Sequence, residues 1–249
     1  PPPTPRCDPR RRPRKRPLVP RTSVALHGIL AAVTTPFTAD ASAVDEAALT
    51  GQAEWLIGSG IHGLVPCGTT GEFPTLTPDE HRRVIELYVK AAAGRVPVIA
   101  GVGALSTAGA IALAQDTERL GANAVMVVPP FYDPLSWREL LAHYTAVAEA
   151  IDIPIMYYNL PSNTGVDLTP EQFAELARKT RVTCFKDTGG DVVKFTAILQ
   201  NYADDIQAMN GYDTLSFYGL AAGAKASVWG AASVIPRLCA DLYEAIVVR

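Results

Sequence analysis

The sequence predicts an α/β protein, a closed (β/α)8 barrel of eight strand-helix units, and three observations predict it. Short apolar, β-branched runs alternate with amphipathic stretches at a spacing of roughly 25 to 30 residues. The runs are apolar throughout rather than alternating, as strands covered by helices on both faces are. Eight such units occupy about 220 residues, the size of one barrel domain. An open doubly wound sheet competes with this arrangement, but no GxGxxG follows the first strand, where a dinucleotide-binding sheet needs glycines to approach a pyrophosphate.

The elements follow in order. ILAAVTTPF, beginning at Ile29, is the first strand, and a helical stretch ending in GSG leads to the second, IHGLVPCGT. The next helix starts at TPDE, where Thr77 is a side-chain cap, Pro78 suits the first helical position and Glu80 completes a capping box. VPVIAGVG is the third strand; the helix after it stops at RLG, where glycine supplies a left-handed cap, before the fourth strand, AVMVVPP. SWRE caps a helix from Ser136 with Glu139, and IPIMYYNL is the fifth strand. TPEQ repeats the box with Thr169 and Gln172 ahead of the sixth strand, VTCFKDT. IQAMNGY is the seventh, and AAG introduces the eighth, KASVWGAA. The stretch PRLCADLYEAIVVR is then the last helix, so the barrel is expected to be just complete where the sequence ends.

Composition narrows the function classes. With 48% hydrophobic and 19% charged residues the chain is globular, and no apolar run reaches the ~18 residues of a membrane helix. Cys7, Cys67, Cys184 and Cys239 are widely spaced without a CxxC pair, which suggests neither a disulfide framework nor a zinc site and favours a cytoplasmic location. The net charge of −3 conceals an asymmetry. Residues 1–23 form a basic, Pro/Arg-rich stretch expected to be disordered, whereas residues 24–249, the expected catalytic barrel, are acidic. The tail can be read as an anionic-surface tether, a targeting segment or upstream sequence foreign to the native protein. An acidic body gives no reason to expect nucleic acid as a partner.

In a (β/α)8 barrel the active site forms at the carboxyl ends of the strands. Lys186 stands there, inside an otherwise apolar run, while Lys90, Lys179 and Lys194 lie on helical stretches with easy access to water. A structural reading lets its ammonium snorkel to the barrel mouth and pair with Asp187 or Asp191. A functional reading makes it a nucleophile that attacks a carbonyl to form a Schiff base, whose iminium withdraws electrons so that a neighbouring carbon–carbon bond is made or broken. In GTTGE, Gly68 to Glu72, glycines flank two threonines, an arrangement that lets backbone N–H groups and hydroxyls converge on a carboxylate, or serves merely as a strand-to-helix turn. Tyr157 and Tyr158 adjoin in a strand and must point opposite ways; the one facing the barrel interior is either a proton relay or a core aromatic. Tyr132, in PPFYD, is a weaker candidate by itself. Metal-driven aldol chemistry is the mechanistic alternative, but His27, His62, His81 and His143 are scattered without HExxH spacing. There is no GxSxG for a serine hydrolase.

GTTGE, PPFY, YNLPSNTG and FKDTGGD, in this order from about Gly28 to the chain end, resemble the dihydrodipicolinate synthase and N-acetylneuraminate lyase superfamily of lysine-dependent aldolases. The resemblance implies a TIM barrel acting on pyruvate or a pyruvate-derived 2-keto acid, with an aldehyde as second partner. It implies that Lys186 forms the imine, that Tyr158 is the acid/base and that Thr69 links Tyr158 to Tyr132, which reaches into a neighbouring subunit's site. It further implies that Thr70, with the backbone at Gly68, seats the pyruvyl carboxylate and that Gly211 leaves room beside the ligand. No metal and no cofactor beyond the covalent lysine imine are implied, and the assembly is a homo-oligomer, a dimer or homotetramer.

Two departures shape the expectation. Asn163 stands where the synthase has an arginine that grips the aldehyde partner's carboxylate, and an amide lacks that bidentate fork. This points toward 4-hydroxy-2-oxoglutarate and related 2-keto-acid aldolases as the alternative to a 4-hydroxy-tetrahydrodipicolinate synthase-like activity. The sequence also ends before the small helical segment that usually follows the barrel, which leaves open a truncated relative that binds keto acids without turnover.

Overall fold

The computed structural model describes residues 26–249; the basic tail expected over residues 1–23 lies outside the described residues. The expected barrel is present. Its strands are β1 (Gly28–Ala32), β2 (Gly63–Val65), β3 (Ile99–Val102), β4 (Ala124–Val127), β5 (Ile155–Asn159), β6 (Val182–Asp187), β7 (Gln207–Asn210) and β8 (Ala226–Trp229). They are parallel and run in the order β2-β1-β8-β7-β6-β5-β4-β3. The remaining seam closes where Leu64 bridges Val98, with Leu64 N donating to Pro97 O at 2.9 Å and Gly101 N to Pro66 O at 2.8 Å.

Between the strands lie α1 (Glu46–Gly58), α2 (Pro78–Ala92), α3 (Thr107–Arg119), α4 (Trp137–Ala150), the short α5 (Pro161–Thr164), α6 (Pro170–Lys179), α7 (Val192–Asn201) and α8 (Ser216–Ala221). After β8 come α9 (Pro236–Tyr243) and one π-helical turn, Glu244–Val248. All three expected capping boxes form, at Thr77/Glu80, Ser136/Glu139 and Thr169/Gln172, because each pairs two amides that the first turn otherwise leaves orphaned. Gly60, Gly121 and Gly223, which close the helical stretches in the sequence, have φ of +90°, +90° and +108°, where a side chain is strained. Among the described residues no helix is long and apolar enough to cross a membrane.

The core has an inside and an outside. Leu30, Val65, Met126, Met156, Cys184 and Met209 fill the barrel, while Ile29, Val125, Tyr157 and Phe185 point outward into the helix layer. Strict alternation along β6 from Val182, which faces the helices, would place Cys184 and Lys186 on the helix side as well. The ladder does not allow it. Ile155 pairs with Val182 but Met156 pairs with Cys184, so Thr183 is an extra residue that shifts the phase of the strand. Above this bulge Cys184 faces the interior and Phe185 the helices. An irregularity of one residue thereby turns Lys186 into the barrel.

Candidate active site

Lys186 is buried, 5% exposed, near the carboxyl end of β6. Its Nζ lies 3.5 Å from the Tyr158 hydroxyl and 4.5 Å from the centre of that ring. The contact is a consequence of register, since Tyr158 and Lys186 are direct neighbours on β5 and β6. Beyond it the Tyr158 hydroxyl lies 3.3 Å from Thr69 Oγ1, and either group can donate. Amine, phenol and hydroxyl therefore form one line across the barrel mouth, from β6 through β5 to the turn after β2.

The carboxylate pairing offered by the structural reading is absent. Asp187 alternates to the outer face, where its carboxylate accepts from Asn159 Nδ2 at 2.7 Å and from Gly189 N at 3.0 Å. Asp191 caps α7 by accepting from Lys194 N at 2.9 Å. Among the described residues no carboxylate lies within ion-pair distance of Lys186 Nζ. Burial raises the pKa of Asp187, with the Asn159 and Gly189 hydrogen bonds opposing the rise.

Close approach explains three glycines. A Cβ on Gly211, directly after β7, would stand 2.6 Å from both Cε and Cγ of Lys186, so the lysine stem occupies the space a side chain would need. A Cβ on Gly101 would fall 1.9 Å from Cys67 O, and that proximity lets the start of GTTGE fold over β3. Cys67 itself takes a left-handed φ of +55°, and a Cβ on Gly68 would come 3.2 Å from the Met126 methyl. The turn then closes through Gly71 N to Gly68 O at 3.1 Å and Glu72 N to Thr69 O at 3.0 Å. It leaves Thr69 exposed and Thr70 half-buried. The Thr70 hydroxyl has no partner among the described residues and lies 3.9 Å from where a Cβ on Gly230 would be, facing the end of β8.

The two tyrosines of β5 divide as their alternation requires. Tyr157 packs outward between Tyr144 and Phe173, with ring centres 5.1 and 5.6 Å away, and burial drives its pKa far up. Only Tyr158 reaches Lys186. Tyr132 is 81% exposed, makes no hydrogen bond among the described residues and stands on the rim of a cavity of about 680 Å³ lined by Thr107, Leu135 and His143. Asn163 is exposed in α5, its side-chain oxygen accepting from Ser162 Oγ at 2.9 Å. A single chain thus brings Lys186, Tyr158, Thr69 and Gly211 together, and leaves Tyr132 and Asn163 at the periphery.

Sequence reasoning missed Asn159, Asp187 and Gly101 as residues that shape this site. For the first two a signal existed: an amide and an acid each directly follow an interior-facing site residue, so they are aimed at the apolar layer behind the strands. Among the described residues no group of three or more His, Cys, Asp or Glu side chains is placed to hold a metal ion.

Comparison with known proteins identifies the family. Residues 25–247 match the model of the dihydrodipicolinate synthetase family. The 4-hydroxy-tetrahydrodipicolinate synthase of Nitrobacter hamburgensis is 42% identical over 219 residues, which are 88% of this chain and 73% of that protein. The dihydrodipicolinate synthase of Aquifex aeolicus superposes with a TM-score of 0.85 at 35% identity, over 89% of this chain and 75% of that one. The chloride-inhibited enzyme of Acinetobacter baumannii, solved with pyruvate, reaches 0.87 at 33% identity, over 90% and 77% of the two chains. With its barrel superposing on these structures and its sequence matching the family over nearly its whole described length, this chain belongs to the dihydrodipicolinate synthetase family.

Proposed function

We propose that this chain is a 4-hydroxy-tetrahydrodipicolinate synthase-like lyase that condenses pyruvate, or a pyruvate-derived 2-keto acid, with an aldehyde through an imine on Lys186. The observation that carries the reading is a buried amine without a carboxylate partner among the described residues, 3.5 Å from a phenol that continues to a threonine hydroxyl. Free of an ion pair, the Lys186 amine adds to the keto carbon of pyruvate; the carbinolamine then loses water to give the iminium. Tyr158 supplies the proton to the departing hydroxyl and takes one from the adjacent methyl, leaving an enamine whose carbon attacks the aldehyde. The aldehyde oxygen is protonated as the new carbon–carbon bond forms, and hydrolysis of the imine returns the free lysine.

The other residues take supporting roles. Thr69 holds the Tyr158 hydroxyl and passes protons outward, Thr70 and the backbone at Gly68 seat the pyruvyl carboxylate, and Gly211 keeps the space beside the amine open. Tyr132, too exposed to serve its own site, completes the relay in a second copy, so the working form is a homo-oligomer, a dimer or tetramer. The imine is the only electron sink this scheme uses. A cytoplasmic location accords with the same reading.

Borohydride added with pyruvate should attach a reduced pyruvyl group to Lys186, seen as a mass shift on its peptide. A folded chain with an unmodified Lys186 would sink the mechanism, and Lys186→Arg should abolish the adduct. Asn163 favours a second reading, a 4-hydroxy-2-oxoglutarate or related keto-acid aldolase, because its amide lacks the charged fork that grips a carboxylate-bearing aldehyde. A panel of aldehydes and keto acids separates the two. Under the aldolase reading Asn163→Arg raises condensation with aspartate semialdehyde at the expense of keto-acid cleavage. Under the synthase reading the parent already turns that aldehyde over, and the substitution adds little.

A further inference from the structure

Behind the line of amine, phenol and hydroxyl lies a second polar line that cannot touch substrate. Asn159 is fully buried and Asp187 is 4% exposed; they follow Tyr158 and Lys186 directly and pair with each other across β5 and β6. Asn159 Nδ2 donates to Asp187 Oδ1 at 2.7 Å and to Asp167 Oδ1 at 3.1 Å, so each of its two hydrogens has its own carboxylate. Lys194 of α7 ion-pairs with the same Asp167 oxygen. The Asn159 carbonyl accepts twice more, from Thr188 N at 3.0 Å and from Thr188 Oγ1 at 2.7 Å. Four segments are thereby tied together at one point: the end of β5, the end of β6, the loop carrying Asp167 and the first turn of α7.

We propose that Asn159 and Asp187 are positioning residues that hold Lys186 against Tyr158 by locking the upper ends of β5 and β6 in a single register. The need for a lock comes from the bulge at Thr183, which breaks the ladder below these residues. In a strand pair with a weakened lower half, a slip of one residue would exchange the faces, turning Lys186 toward the helices and bringing the Asp187 carboxylate into the barrel. Such a slip is opposed by side chains that fit only one register. Rotating the Asn159 amide would set its oxygen against two carboxylates, so the amide has one acceptable orientation, and its own side-chain oxygen is left buried without a partner among the described residues. That orphaned acceptor is a cost that a purely structural apolar pair would not carry.

The inference rests on the Schiff-base reading and is tested with the same adduct. Borohydride trapping is followed as a rate over a range of pyruvate concentrations for the full chain and for Asp187→Ala, Asn159→Ala and Asp187→Asn. Because the amine shifts while the carboxylate seat on the β2 turn stays in place, both alanine variants should lose about tenfold or more in maximal trapping rate. Half-saturating pyruvate should remain within about threefold of the parent. Asp187→Asn should recover most of the rate, since its amide oxygen still accepts from Asn159 and Gly189. A folded Asp187→Ala that traps as fast as the parent overturns the proposal, as does an Asp187→Asn as slow as the alanine variant. If the alanine variants do not fold, Asp167→Ala, at the solvent-facing end of the network, decides instead: a slower rate at unchanged half-saturation supports the lock, and a parental rate overturns it. Absence of any adduct in the parent overturns the Schiff-base reading itself, whereas a normal parental adduct with unaffected variants removes only this proposal.

Discussion

At the scale of single residues the site depends as much on a missing side chain as on those present. Gly211 has no positive φ, so alanine suits its backbone, but the added Cβ would press on the Lys186 stem at 2.6 Å. A lysine stem is flexible enough to move aside. Gly211→Ala is therefore expected to fold with a near-parental melting temperature and to lose about 10²-fold in trapping rate because the amine is misplaced. Tyr158→Phe retains the ring beneath the ammonium and removes only the hydroxyl, so turnover should fall about 10²-fold or more while the chain stays folded, as steady-state kinetics and circular dichroism would report. Lys186 was legible in the sequence because a charge in an apolar strand is conspicuous. Asn159 and Asp187 become legible only once the facing of their neighbours is known, since each directly follows an interior-facing residue, and for Asp187 the Thr183 bulge sets that face.

At the scale of elements the sequence marks helices better than strands. The capping boxes at Thr77, Ser136 and Thr169 all lie where the four-residue patterns place them, since capping is local chemistry settled within one turn. Replacing Thr169 by Ala should destabilise the chain by about 1 kcal/mol without changing the adduct, as a denaturation curve would show. The bulge in β6 has no comparable signature, because a threonine in an apolar run looks like any other strand residue. Deleting Thr183 removes the extra residue but keeps Val182 opposite Ile155 and Cys184 opposite Met156, so strict alternation then leaves Lys186 inside the barrel. The expected outcome is a folded chain that still forms the pyruvyl adduct, and loss of the adduct in a folded chain would refute the phase argument.

At the scale of the whole molecule two behaviours follow. His143 is buried beneath α3, with Nδ1 3.0 Å from the Thr107 hydroxyl, and burial lowers its pKa to about 4 from 6.5. Burial also lowers the pKa of His81. A histidine whose folded pKa is depressed binds its proton more readily when unfolded, so its contribution to stability is intact above pH 6.5 and is lost as pH falls toward 4. Asp187, whose pKa burial raises, acts in the opposite sense and softens the acid limb. Moving from pH 7 to pH 5 should cost about 2 kcal/mol through His143, seen as a drop in melting temperature of several degrees. The proposed assembly gives the second behaviour. With Tyr132 81% exposed and remote from its own Lys186 line, activity should fall on dilution in step with dissociation measured by analytical ultracentrifugation.

The amino-acid sequence by itself determined the eight units, the helix starts, the glycine stops and the choice of Lys186 as the candidate nucleophile, because each follows from local periodicity, capping or an out-of-place charge. Tertiary structure alone decided that Lys186 faces inward with no carboxylate beside it among the described residues, that Asp187 turns away to Asn159, and that Tyr132 is left on the outer rim. The first two depend on the phase of one strand against its neighbour, and a single extra residue reverses that phase without a signature in the run of apolar and polar letters; the exposure of Tyr132 depends on how the segment between β4 and α4 packs.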